Sequence, residues 1–285
     1  MNRQLFTIAI CYLIGIAVYS FDPVMQSFPS IFVSDFMKTF SVSSIGVGVI
    51  ASAYFYSYNL LQIPFGLFCD RVGTKNIVIC SSLICVLGLS WFSQSHSLHT
   101  AILSRMIMGV GGSCAAVVMI VICKEYFSVV WLPFLIGVAQ LACNVGALSG
   151  QYPLTFLSNA IGWRHTVLCL NVIPVVLLVA AIFFLNKMSL STTKRHYLHE
   201  LKAVFTNKSN WVIGGYAMLL WTPFYTFASL WGIPFLQEKF NINVTEASRL
   251  IAITWIGSGV GSILLGFLSS YLRERKLCIL LSAGI

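Results

Sequence analysis

Asp22 and Arg105 are ionisable side chains placed inside or at the end of long apolar stretches. An unpaired charge at such depth costs on the order of 3 kcal/mol, so each needs a reason to be there. A carboxylate there can take up and release a proton, and a guanidinium can hold a carboxylate. Arg105 stands above a small-residue face of Gly109, Gly112 and Ala116. Its structural alternatives are to snorkel to the outer surface or to brace neighbouring helices. Asp22 precedes Pro23, which biases it away from helical geometry, so it also reads as a helix end near the outer interface. Uncharged polar groups accompany the pair. Tyr54, Tyr58 and Gln62 recur every fourth residue and share one helix face, and Asn59 lies on the same stretch. Gln140 and Asn144 belong to a later stretch, and Tyr216, Trp221 and Tyr225 to one that also contains Pro223 and Pro234. In lipid such groups turn inward, onto a solute path or as glue between helices. What they offer is binding and proton transfer. No nucleophile–base set, metal-ligand spacing or Gly-rich phosphate loop occurs, so no enzyme activity, metal or cofactor is expected. The nine cysteines lack CxxC spacing and read as small apolar core residues.

The elements that must position these groups follow from hydropathy. Of the 285 residues, 58% are hydrophobic and 9% charged. A soluble chain of that length could not hide repeated apolar runs of about 20 residues, each able to cross a bilayer core of roughly 30 Å. Eight runs are predicted, at 5–26, 45–65, 76–93, 100–122, 131–157, 166–185, 211–236 and 250–271, with a ninth starting near Leu277. The first has no small-residue cleavage site and should remain as a helix. With the N-terminus inside, internal loops carry about three times as many Lys and Arg as external ones, which predicts a cytoplasmic N-terminus and cytoplasmic Arg71 and Lys194. The net charge of +9 thus follows orientation. Its basic residues are spread over loops, so no nucleic-acid partner is expected.

Three of the scarce charges crowd into GLFCDRVGTK, Gly66 to Lys75, between the second and third runs. Gly66 and Gly73 permit close helix approach and a tight turn. Asp70 lies near the start of the next helix, where the helix dipole favours a carboxylate, and Arg71 and Lys75 are its local partners. This stretch resembles the G-x-x-x-D-R-x-G-x-K/R signature of the major facilitator superfamily. YSYNLLQIPFG, just upstream, resembles that family's second helix. SRMIMGVGG, with Arg105, Gly109 and Gly111, and GWR, Gly162 to Arg164, agree with it. GFLSSYLRERK, Gly266 to Lys276, lies 200 residues after GLFCDRVGTKN, with Ser270 in place of Asp70 and Arg273 in place of Gly73. That offset points to two halves related by an axis along the membrane normal.

The resemblance implies an all-α membrane protein with a helical-bundle fold, eight complete transmembrane helices and part of a ninth. Residues 1–186 would form a six-helix half, 187–210 a cytoplasmic central loop, and 211–285 part of the second half. Two full halves need about 400 residues, so the chain would cover about two-thirds of the fold. The resemblance also implies a secondary active transporter in a bacterial inner membrane, working by alternating access. Its partners would be protons and a small organic anion, amino acid or peptide. It gives Arg105 a carboxylate-binding or proton-steering role. It makes Asp70 a latch on the cytoplasmic side whose partner comes from the eleventh helix. FASLWGIPFL in the seventh run looks like bacterial members grouped near the lysosomal dipeptide transporters. A drug efflux antiporter is an alternative, weakened because NVGALSG, with Gly146 and Gly150, lacks the Gly-Pro pair usual in the fifth helix of such antiporters. A non-transporting remnant or membrane interaction protein is the other. The sequons at Asn207 and Asn243 read as chance matches.

Overall fold

In lipid an apolar run satisfies its backbone polar groups only by coiling into a helix or closing into a barrel. The computed structural model describes residues 3–128, 130–185 and 205–272, and among these all regular structure is helical. The start of the ninth run near Leu277, Cys278, Lys194 and the Arg273–Lys276 part of the repeat lie outside the described residues.

The first run forms α1 (Arg3–Ser27), continues through a 3-10 turn (Phe28–Ile31) and is followed by α2 (Val33–Phe40). The sequence ends this run at Gln26. The structure carries it further because Pro29 falls at the start of the 3-10 turn, where a missing N–H is tolerated. In α2, Val33, Phe36 and Phe40 are buried while Asp35 and Lys38 are exposed, an apolar stripe at helical spacing. Ser41 ends α2 in the left-handed region, its N–H bonded to the Met37 carbonyl. Next come α3 (Ser44–Val72), α4 (Thr74–Ser93), α5 (Leu98–Gly112) and α6 (Ala115–Tyr126). They are followed by α7 (Leu132–Ser149), α8 (Tyr152–Cys169) and α9 (Val172–Phe184). A second group holds α10 (Lys208–Thr226), a π-helical turn (Phe227–Trp231), α11 (Gly232–Phe240) and α12 (Val244–Leu272).

Five helical segments are long and apolar enough to cross a membrane, and the bent pair Val33–Phe40 with Ser44–Gly66 makes a sixth if taken as one span. One of the five, Leu132–Phe184, runs 53 residues. That would be about 80 Å of continuous helix, more than twice a bilayer core. Gly162 divides it, with φ of 76° that no right-handed helix holds. The GWR stretch is therefore a one-residue break inside α8, where the sequence predicts a loop from Leu157 to Thr166. Lys208–Phe240, which contains the expected seventh run at 211–236, is helical but is not among the apolar spans, since Trp, Tyr, Gly and Pro dilute its hydropathy. Its irregularity sits at Phe227–Trp231, between the two prolines and not at either of them.

α1 packs against α6, α7 and α9, α5 lies between α3 and α4, and α7 runs along α12. Small residues permit these approaches. A Cβ on Gly146 would meet the Ser20 carbonyl, and one on Gly150 the Ser27 hydroxyl and the Val24 carbonyl, so this GxxxG pair seats α7 on α1. Gly66 behaves otherwise: nothing lies within 4 Å of a Cβ there, and the expected close approach is not made.

Candidate functional site

The Asp22 carboxylate belongs to the helix interior. Pro23 does not end α1, which continues to Ser27, and Asp22 is buried at 4% exposure. The helix-end reading is thereby corrected: the neighbouring helices supply the contacts that hold the backbone helical through the proline. Gln26, one turn on, donates its Nε2 to Asp22 Oδ2 at 2.7 Å. The Tyr54 hydroxyl of α3 donates a short hydrogen bond to Oδ1. Room for this pair comes from α5, because a Cβ on Gly112 would strike both the Tyr54 hydroxyl and Asp22. Tyr58 stacks on Tyr54 with centroids 5.8 Å apart. On its other side, Gln26 Oε1 accepts from the Tyr225 hydroxyl of α10 at 2.7 Å. A chain of hydrogen bonds thus runs Tyr54–Asp22–Gln26–Tyr225, from α3 through α1 to α10.

Arg105 makes no hydrogen bond to this chain and meets it only at the Tyr54 ring. It is fully buried, with its guanidinium 5.1 Å from the Phe28 ring centroid and 4.9 Å from that of Tyr54. Nη1 donates to the Met25 carbonyl at 2.6 Å and Nη2 reaches the Ala51 carbonyl at 3.5 Å. In a helix the Met25 carbonyl would pair with the amide four residues on. That residue is Pro29, which has no N–H, and Arg105 supplies the missing donor. The side chain does not snorkel outward; it braces α1 against α3 and α5, and its buried Nε has no hydrogen-bond partner among the described residues.

A cavity of about 420 Å³ lies between α1, α3 and the α10–π-turn segment. Its lining includes Gln26, Ser52, Phe55, Asn59, Thr222, Tyr225 and Trp231. Of the residues singled out from sequence, Asp22, Tyr54 and Tyr225 join one network, with Tyr58 stacked on it and Asn59 facing the adjoining cavity. Others are held elsewhere. Gln140 accepts from the Tyr19 hydroxyl at 3.0 Å, and Asn144 donates to the Ser258 hydroxyl at 3.2 Å, tying α7 to α12. Gln62 and Tyr216 are half-buried, and Trp221 packs against the rings of Phe224 and Tyr225.

Two residues escape the sequence reading. Gln26 is counted there as the last residue of a run, although its spacing four residues after Asp22 was a usable signal. Gln151 occupies the break between α7 and α8, inside a stretch predicted as one continuous helix. It is 1% exposed, donates to the Ser30 hydroxyl at 3.0 Å and the Ala228 carbonyl at 2.8 Å, and accepts from Trp255 Nε1 at 2.9 Å. An amide directly after Gly150 in an apolar stretch was the available hint.

At the other end of α3, Gly73 takes φ of 82° and turns the chain into α4. Lys75 donates its Nζ to the Ile182 carbonyl at 2.6 Å, in the last turn of α9, where a cation meets the negative end of the helix. Asp70 does not lie past a helix end, since α3 continues to Val72 and Asp70 belongs to its last turn; the readings made for the side chains of Asp70 and Arg71 lie outside the described residues. Both sequon asparagines cap helices. Asn207 accepts from the Ser209 amide at the start of α10, and Asn243 from the Glu246 amide at the start of α12.

A family model described as Major Facilitator Superfamily matches residues 5–285. The chain belongs to the major facilitator superfamily. It is 20% identical over 265 residues to a probable L-galactonate transporter of Escherichia coli K12, covering 84% of this chain and 58% of that protein. A nitrite extrusion protein of Bacillus subtilis 168 is 22% identical over 231 residues, covering 80% and 56%. Among solved structures, a bacterial homologue of the human lysosomal transporter Spinster superposes with a TM-score of 0.73 at 16% identity, covering 96% of this chain and 64% of that one. The nucleoside transporter NupG superposes with a TM-score of 0.64 at 12% identity, covering 91% and 66%. This superfamily member therefore spans less than two-thirds of the length of those two relatives. It is a multi-pass integral membrane protein with the superfamily's helical fold.

Proposed function

We propose that this superfamily member is a proton-linked secondary transporter of a small solute, with Asp22 as the proton-carrying group and the adjoining cavity on the solute's path. In this reading α1–α9 form one half of the transporter, α10–α12 open the other, and the N-terminus is cytoplasmic in a bacterial inner membrane. The observation that carries it is the Tyr54–Asp22–Gln26–Tyr225 chain, which places one buried carboxylate a single hydrogen bond from the contact between the two groups of helices. An ionised Asp22 accepts from both Tyr54 and Gln26. A protonated one has a donor of its own, and Gln26 can no longer hold its amide toward the carboxyl and its oxygen toward Tyr225 on the same terms. Loading a proton thus changes the α1–α10 contact, as alternating access requires. The relatives named for galactonate and nitrite support transport of small solutes as the general activity.

The test is reconstitution in proteoliposomes, with a panel of radiolabelled sugar acids, polyols, amino acids and dipeptides, with and without a pH gradient. Asp22→Asn should keep solute exchange at equal pH and lose gradient-driven accumulation. Accumulation that survives in Asp22→Asn would remove Asp22 from the proton path.

A further inference from the structure

We infer that a single buried water sits between Asp22 and Ser82 and receives the hydrogen of the Asp22 carboxyl when that group is protonated. The inference rests on the reading of Asp22 as the proton-carrying group and adds the acceptor that this reading needs. A cavity of about 10 Å³ lies beside Asp22, walled by α1, α4, α5, α6 and α9, all within the first group of helices. That is about the space one water occupies. Gly112 forms part of the wall, and a Cβ there would strike Asp22 Oδ1, so this oxygen stands at the cavity's edge. Across from it, α4 contributes Ser81 and Ser82. Ser82 is 4% exposed, and its hydroxyl has no hydrogen-bond partner among the described residues. Ser81 differs: it donates to the Gly111 carbonyl at 2.6 Å and keeps its oxygen as an acceptor. Buried waters make about three hydrogen bonds, and Asp22, Ser81 and Ser82 supply that set.

The need for the water follows from the bonds Asp22 already has. Tyr54 donates to Oδ1 and Gln26 to Oδ2, which suits an ionised carboxylate. Protonation adds an O–H that neither the Gln26 amide nitrogen nor a donating Tyr54 hydroxyl can accept. Buried without an acceptor, that O–H would oppose proton loading. A water beside Oδ1 serves both states, because it donates as readily as it accepts. With Asp22 ionised, it donates to Oδ1 and the Ser81 oxygen and accepts from the Ser82 hydroxyl. With Asp22 protonated, it turns, accepts the carboxyl hydrogen and donates to the two serine oxygens. Ser82 is the positioning residue, since a hydroxyl with no other bond can change roles together with the water. Oδ2 is then left to Gln26 as a neutral carbonyl oxygen, a weaker acceptor than a carboxylate.

Infrared difference spectra of the reconstituted chain, taken between high and low pH, test this. The carbonyl band of protonated Asp22 is the one that Asp22→Asn removes. Ser82→Ala should move that band to higher wavenumber, as a carboxyl does on losing a hydrogen bond. It should leave the melting temperature near the parent's, because no bond within the protein is lost. An O–H band that shifts in heavy-oxygen water should change on protonation in the parent. Ser82→Val, whose methyls fill the cavity, should abolish it. An Asp22 band unmoved by Ser82→Ala would overturn the inference, as would a parent without the oxygen-sensitive band. An Asp22 band that shifts on adding sodium chloride but not choline chloride would give the site to a cation, and the water would be overturned. In those outcomes Asp22 still takes up a proton. If Asp22→Asn removes no carbonyl band, the proton-carrying reading itself fails, and the inference fails with it.

Discussion

Arg105 and Pro29 are 76 residues apart in sequence, yet each accounts for the other. The proline removes a backbone donor from the first helix, and the arginine of α5 brings one back at 2.6 Å. Truncating the arginine leaves a buried carbonyl unpaired, a loss of about 1–3 kcal/mol, together with two ring contacts. Arg105→Met should therefore lower thermal stability in detergent. Restoring the amide should recover part of that loss: in a Pro29→Ala background, Arg105→Met should cost at least about 1 kcal/mol less than in the parent. Thermal melts of the four proteins give the coupling directly, and strictly additive losses would detach Arg105 from the Met25 carbonyl. A solute-binding arginine predicts something else, a change in solute affinity with little change in melting. The sequence marks Arg105 as exceptional because charge is scarce in apolar runs. It does not say which way the side chain turns, since that depends on a carbonyl left open by a proline in another helix.

Helices are the most legible level of this molecule, and their interruptions the least. The runs predicted at 45–65, 76–93 and 250–271 lie within α3, α4 and α12. Hydropathy averaged over a span registers the interruption around Gly162 as a gap between runs, but not the break at Gln151 or the π-helical turn at Phe227–Trp231, where Gln151 bonds the Ala228 carbonyl of that turn. It misses α2 for another reason: only one stripe of that short helix is apolar. Glycines show the same division. Gly66 and Gly112 both sit in helices and both belong to stretches that resemble the superfamily, but their surroundings differ. Gly66→Ala meets nothing within 4 Å and should be neutral or stabilising by up to about 1 kcal/mol, the helix preference of alanine over glycine. Gly112→Ala drives a methyl into the Tyr54–Asp22 hydrogen bond and should cost several times more, about 2–3 kcal/mol. Melting temperatures of the two single variants decide the point. Equal effects would mean that α5 does not approach Asp22 as described.

At the scale of the whole molecule, α1–α9 meet α10–α12 through two kinds of contact. One is a small-residue seam: a Cβ on Gly137 would meet the Ser262 carbonyl at 2.8 Å, and one on Gly266 the Pro133 carbonyl at 2.9 Å, so α7 and α12 lie backbone to backbone. The other is polar and local: the Gln26–Tyr225 bond, the Asn144–Ser258 bond, and the bonds of Gln151 to the Ala228 carbonyl and Trp255 Nε1. A seam of this sort tolerates little sliding, because packed surfaces have few alternative arrangements. Hydrogen bonds made by a single amide can break and re-form without disturbing it. Gln151 is the more consequential junction, since one side chain gathers the 3-10 turn after α1, the π-helical turn and α12. Gln151→Leu keeps the volume and removes every one of these bonds, taking away the side-chain donor to the Ala228 carbonyl and the acceptor of the Trp255 N–H. Hydrogen exchange read by mass spectrometry should then quicken about tenfold or more at residues 227–231, as expected from losing on the order of 1–3 kcal/mol of local protection. Peptides of the α7–α12 seam around Gly137 and Gly266 should keep their parental rates, because the contacts there do not involve Gln151. Acceleration spread evenly over both regions would mean that the seam and the junction open as one body. Unchanged exchange at 227–231 would show that the π-helical turn holds its place without Gln151.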